Sequence, residues 1–118
     1  MKIFPLKEMK PALEFFDPKD LPWREVLPGV KEKILSEDPE TGAYTRLLKM
    51  EPGAKIDKEL SHDFYEELYI IDGELRNDKT GDIYTKGMYA CRPPGMKHGP
   101  FSTEKGCLII EIRYYEKS

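Results

Sequence analysis

The sequence predicts an all-β fold, a small antiparallel barrel preceded by an irregular proline-rich arm, and three observations point to it. From Val30 onward, short runs rich in β-branched and aromatic residues alternate with Gly, Pro, Asp and Asn, the pattern of strands separated by turns. No amphipathic helix pattern of about 10 to 15 residues, which parallel βαβ units require, interrupts them. With 118 residues, the chain is the size of one ordinary domain and too short for two well-cored ones.

Residues 1–28 form the expected arm. They carry prolines at positions 5, 11, 18, 22 and 28, and each limits helix or ladder pairing around it. Ala12 to Phe16 leave room for one helical turn. The arm also holds Phe4, Leu6, Leu13, Phe15, Phe16 and Trp23, side chains costly to leave in water. It is therefore expected to pack on the barrel, residues 29–118, or on a second subunit. Strands are expected over Val30–Ser36, Ala43–Met50, Glu67–Ile71, Glu74–Arg76, Met88–Arg92 and Cys107–Tyr115. Turns fall at Asp38 to Gly42, Pro52-Gly53, Asp72-Gly73, Asn77 to Gly81 and Pro93 to Gly95. Gly73 tolerates positive φ, so a hairpin is expected between the strand before it and Glu74–Arg76.

Charged residues make up 35% of the chain and hydrophobic ones 39%, a balance typical of a soluble globular protein. The apolar run Cys107 to Ile110 falls far short of the roughly 20 residues of a spanning helix. Met1 to Lys10 lacks the apolar block and small-residue cleavage site of a secretory signal. A cytoplasmic protein with no membrane partner is expected. A net charge of −3 without strong clustering of Lys and Arg gives no footprint for nucleic acid. Cys91 and Cys107 are expected to be free thiols in that compartment.

The chemistry concentrates on the two histidines, His62 and His98, each beside turn-forming residues and each carrying the imidazole that metals favour. On a straight strand His62 and Glu66 would stand about 13 Å apart at ~3.3 Å per residue, too far to share an ion. A bend over Asp63, Phe64 and Tyr65 would bring them together, and a segment ending near His98 would supply a third ligand. Pro93-Pro94-Gly95 provides a stiff turn from which His98 could enter the barrel. Two imidazoles more than about 8 Å apart, well beyond twice a ~2.1 Å bond, would rule the site out.

These residues carry a resemblance. Gly87, five residues, Pro93, one residue, Gly95, two residues and His98 resemble the second cupin motif, with Ser102 where the family often has Asn. Gly53 to Gly73, with His62, three residues, Glu66, six residues and Gly73, resembles the first. The match runs from about Trp23 to Tyr115. The runs Tyr44 to Gly53, Arg92 to Pro100 and Gly106 to Ile112 are similar to the cupin module of ChrR-type anti-sigma factors and their stand-alone bacterial relatives. No counterpart of the zinc-binding helical domain of those anti-sigma factors is expected, so their regulatory role is not carried over.

The resemblance implies a double-stranded β-helix, the cupin or jelly-roll barrel, with one divalent metal ion, Fe(II) or Zn(II), held by His62, Glu66 and His98. The family's first motif usually has a further His two residues before the one matching His62, and Leu60 stands there. That departure removes a ligand and leaves three, which weakens the site or abolishes it. Glu59 would substitute only if a bulge turned it inward. Glu67 faces away from Glu66 on a strand and is expected at solvent or an interface.

In the last strand, Cys107, Ile109, Glu111 and Arg113 share one face and Leu108, Ile110, Ile112 and Tyr114 the other. If the first face is inward, Glu111 and Arg113 join Leu68 and Ile70 in a substrate pocket; otherwise they are a surface pair. Two functions follow. One is a metal-dependent enzyme on a small organic molecule, of the dioxygenase type that similar cupins suggest. The other is a non-enzymatic sensor or small-molecule-binding module. A homodimer is expected from the apolar arm and the strand-borne tyrosines.

Overall fold

The computed structural model describes residues 10–115; Phe4 and Leu6 of the arm lie outside them. Nine strands follow one another: β1 (Arg24–Leu27), β2 (Val30–Glu37), β3 (Tyr44–Met50), β4 (Lys55–Ile56), β5 (Tyr65–Asn77), β6 (Ile83–Thr85), β7 (Tyr89–Arg92), β8 (Phe101–Ser102) and β9 (Cys107–Tyr114). All pairings between them are antiparallel, in the order β1-β2-β3-β9-β5-β8-β4, with β6 and β7 also paired to β5. The result is the nearly closed all-β barrel that the patterning predicts. No α-helix occurs among the described residues, and none is long and apolar enough to cross a membrane.

The segment after Lys10 has no regular secondary structure until a single 3-10 turn at Pro18–Asp20, so the turn sits where Pro18 can start it and not at Ala12–Phe16. Asp17 caps it, its side chain accepting from the Lys19 N–H at 2.9 Å. This segment lies along β2 and β3: Lys10 Nζ donates to Thr45 Oγ1 and Lys33 Nζ to the Pro18 carbonyl, both at 2.9 Å. Trp23 receives the ammonium groups of Lys33 and Lys49 against its ring. Immediately after it, Arg24 to Leu27 pair with β2 as a strand that the prolines on either side had obscured.

The largest difference from the sequence reading concerns Asp72-Gly73. The chain does not reverse there. β5 runs unbroken for 13 residues, pairing with β7 and β9 through its first half and with β6 and β8 through its second. A register shift between Ile70 and Asp72 bends it, and Gly73, at φ +82°, lies so close to β9 that an added Cβ would stand 2.1 Å from the Gly106 carbonyl oxygen. Its positive φ thus serves a bulge and a close backbone approach, not a turn. The hairpin forms four residues later, where the Asn77 side chain accepts from the Lys79 and Thr80 N–H groups.

Inside, alternate residues of β3, β5 and β9 build one apolar core with Val30, Leu48, Met50, Leu68, Ile70, Leu75, Phe101, Cys107 and Ile109. The β9 face left open by its sequence is thereby decided: Cys107, Ile109 and Glu111 are buried, and Arg113 follows them inward. Both cysteines are free thiols, Cys91 exposed and Cys107 buried.

Candidate metal centre

Three chain segments converge at one end of the core. The first is the stretch Leu60 to His62, which bends at Asp63 and Phe64 before β5 begins. Phe64 is buried and stacks on the His62 ring with centroids 4.5 Å apart and planes 9° from parallel. The second is the inward phase of β5, which buries Glu66. The third is the corner after β7, where the Met96 N–H reaches back to the Pro93 carbonyl at 3.2 Å and Gly95 takes positive φ.

The first and third segments hold each other. Leu60 and His98 exchange both backbone hydrogen bonds, at 2.7 and 2.9 Å, and the Gly95 N–H donates to the His62 carbonyl at 2.8 Å. His98 Nδ1 lies 3.2 Å from the Met96 carbonyl, which leaves Nε2 toward Glu66, 3.8 Å from its Oε1. The two imidazole centroids are 5.0 Å apart, inside the limit of about 8 Å. One donor atom from each of His62, Glu66 and His98 lies within 4.8 Å of the other two. A single ion could reach all three.

The electrostatics suit such an ion in one respect and compete with it in another. Burial lowers the pKa of both histidines below the ordinary value, with Arg113 adding to the effect at His62 and Arg92 at His98, a shift that favours the neutral ring, the form that ligates. Glu66 is 4% exposed, and its carboxylate accepts a hydrogen bond from Arg92 Nη1 at 2.8 Å. That guanidinium satisfies the buried charge of Glu66 through Oε1, the oxygen that also lies nearest His98 Nε2.

Leu60 lines the same cavity as an apolar side chain where the cupin motif usually offers a donor. Glu59 does not replace it: it is exposed and bonds Lys79 Nζ at 2.8 Å. Glu67 likewise turns outward, where Tyr89 donates to it. Of the expected pocket residues, Glu111 and Arg113 line the cavity of about 130 Å³ beside the histidines. Ile70 lines an adjoining cavity of about 220 Å³, and Leu68 lines both.

The sequence reading did not single out Arg46, Arg92, Tyr44 or Glu32. Arg46 spans Glu32 and Glu111, its Nη1 and Nε donating at 2.6 and 2.7 Å, while the Tyr44 hydroxyl donates to Glu111 at 3.0 Å. Burial and the nearby Glu66 charge raise the Glu111 pKa against the pull of Arg46. Burial also raises Glu32, but the hydrogen bonds from Arg24 and Arg46 outweigh it and leave that carboxyl below its usual range. One signal could have found these residues: Glu32 and Arg46 occupy the inward, apolar phase of β2 and β3, alternating with Val30 and with Leu48 and Met50.

Comparison with known proteins is consistent with this architecture. Residues 12–113 match the family model of the ChrR cupin-like domain. No curated protein matches the chain by sequence. Among solved structures, KdgF from a Halomonas species superposes with a TM-score of 0.74 at 20% identity, over 91% of this chain and 97% of that one. An acetylacetone dioxygenase from Acinetobacter johnsonii gives 0.72 at 15%, over 100% and 86%. The anti-sigma factor ChrR of Rhodobacter sphaeroides, solved in complex with SigE, gives 0.64 at 20%, covering 81% of this chain and 51% of that one. At these identities the structural likeness speaks to fold alone, whereas the family model spans most of the chain. The chain therefore belongs to the ChrR cupin-like domain family.

Proposed function

We propose that this cupin holds one divalent metal ion on His62, Glu66 and His98 and acts on a small organic molecule in the adjoining cavity, as a metal-dependent enzyme of the dioxygenase kind. The observation that carries the reading is the convergence of two imidazoles and a buried carboxylate within 4.8 Å, beside an apolar wall. Such a donor set fits Fe(II) with open positions and also fits Zn(II). When bound, the ion would supply Lewis-acid polarisation of a substrate oxygen and, for iron, redox chemistry. The chain's own residues do the rest. The Leu60 pairing and the Pro-Pro-Gly corner aim His98, Phe64 clamps His62, and Arg92 orients the Glu66 carboxylate. Leu68 and Ile70 exclude water, and Glu111 and Arg113 present polar groups to the ligand.

Residues 29–118 would form this working barrel, with 1–28 as an arm laid on it or on a partner. The protein would reside in the cytoplasm as a homodimer. Elemental analysis of freshly purified protein is the direct test: one metal per chain is expected, falling at least tenfold in His98→Ala. Unchanged metal content in that variant would remove the site.

A second reading has a specific observation in its favour. Leu60 supplies no donor and Arg92 already neutralises Glu66, an arrangement that suits a sensor or small-molecule-binding module without turnover. Oxygen uptake with Fe(II) and a panel of β-diketones separates the two. Zinc as the sole metal, with no uptake, would assign the second.

A further inference from the structure

Three arginines line the cavity around His62, Glu66 and His98, and two of them have carboxylate partners. Arg46 pairs with Glu32 and Glu111, and Arg92 with Glu66. Arg113 differs. Among the described residues no side chain forms an ion pair or hydrogen bond with its guanidinium, and its Nε is sealed from water without any partner. Instead the group lies against two rings, with Cζ 3.8 Å from the Phe64 centroid and 4.3 Å from that of Tyr44.

Arg113 is half-buried; the ring contacts stabilise its guanidinium but leave the sealed Nε–H without a protein partner, and a donor shut off from water without a partner is costly. The two rings fix where the cation stands without using its N–H groups, and those are the groups by which a guanidinium grips the paired oxygens of a carboxylate. Register places Arg113 on the same cavity as the histidines. Arg113 stands opposite Glu66 on β5 and opposite Tyr44 on β3, and it opens onto the cavity that His62, Glu66 and His98 line. Beyond them the wall becomes apolar, with Leu68, Leu75, Phe101 and Ile109 common to both cavities.

We propose that Arg113 binds the carboxylate of a small organic acid, which sets that acid group beside His62, Glu66 and His98 and lays the carbon chain along Leu68 and Phe101. This names the substrate class of the proposed function and rests on that reading for the metal's part; the contact with Arg113 itself does not require an ion. The cavities, about 130 and 220 Å³, fall at or below the lower end of pockets that hold drug-sized ligands, so the acid is a short one.

The test compares 2-oxo acids of three to six carbons with their neutral amides, pyruvate against pyruvamide being the first pair, by calorimetry on zinc-loaded and on chelator-treated protein. A charge-assisted bond predicts that at least one acid binds about tenfold or more tightly than its amide. Arg113→Gln should abolish that preference with metal content unchanged, and Arg113→Lys should retain part of it. If no acid outbinds its amide, or if the preference survives Arg113→Gln, the proposal is overturned; the wild-type comparison decides even if the variants fail to fold. An acid preference in protein that takes up no metal would sustain Arg113 and remove the metal reading. Metal uptake without the preference would do the reverse.

Discussion

Leu60 ties down the backbone of His98 while its side chain supplies no donor to the cavity. Restoring an imidazole there adds a fourth ligand without disturbing the pairing, so Leu60→His should raise zinc affinity by at least about tenfold, one 1.4 kcal/mol step. A chelator competition reads the change, and equal affinities would show that position 60 does not face the ion. Arg92 has the complementary role. Its side chain and that of Glu66 are 11% and 5% exposed, and removing one partner of a buried pair typically costs about 3–5 kcal/mol. Arg92→Gln should therefore unfold at lower denaturant in the metal-free form and recover much of the loss on addition of zinc. Loss of equal size with and without metal would mean that no ion takes over the charge of Glu66. The cysteines differ by burial alone: a thiol reagent at neutral pH should modify Cys91 in the folded protein and reach Cys107 only on unfolding.

At the scale of elements, β5 carries the design. Its first half brings Glu66, Leu68 and Ile70 inward, and its second half crosses to pair with β6 and β8. Gly73 makes the crossing possible. Gly73→Ala would drive a Cβ into the Gly106 carbonyl at 2.1 Å, so a destabilisation of about 3 kcal/mol or more is expected. Gly81 has the same sign of φ and nothing within 4 Å of the added Cβ; Gly81→Ala should cost only about 1–2 kcal/mol. Similar losses for the two would show that conformational strain alone, and not contact with β9, makes Gly73 necessary. The Asp72-Gly73 dipeptide reads locally as a turn because positive φ serves turns and bulges alike. Which one forms depends on β9 lying across it. The two-residue strands β4 and β8 were illegible for the same reason: each exists only through its pairing with another segment.

For the whole molecule, exposed apolar groups remain on the arm and on the outer face of the sheet. Phe15 is fully exposed, and Leu13, Phe16, Tyr69, Tyr89 and Ile112 are also on the surface. Light scattering at micromolar concentration should give the mass of a dimer; a monomer would mean that these groups face water in solution. Alkaline pH should weaken the fold through Cys107, whose thiol burial raises from 9.0 to about 11. The unfolded chain then loses its proton first, so stability falls between about pH 9 and 11. Cys107→Ala should flatten that limb.

The sequence by itself determined the all-β class and the candidate centre at His62, Glu66 and His98. Period-2 patterning is a local property, and the spacing of glycines, prolines and histidines is written along the chain. Only the tertiary structure decided which face of β9 turns inward, that β5 bends where a turn was expected, and that among the described residues Arg113 meets no carboxylate while Arg46 and Arg92 have theirs. These outcomes depend on which strands lie side by side and on how much water their packing removes. Both are set by contacts between residues as far apart in the chain as Tyr44 and Glu111.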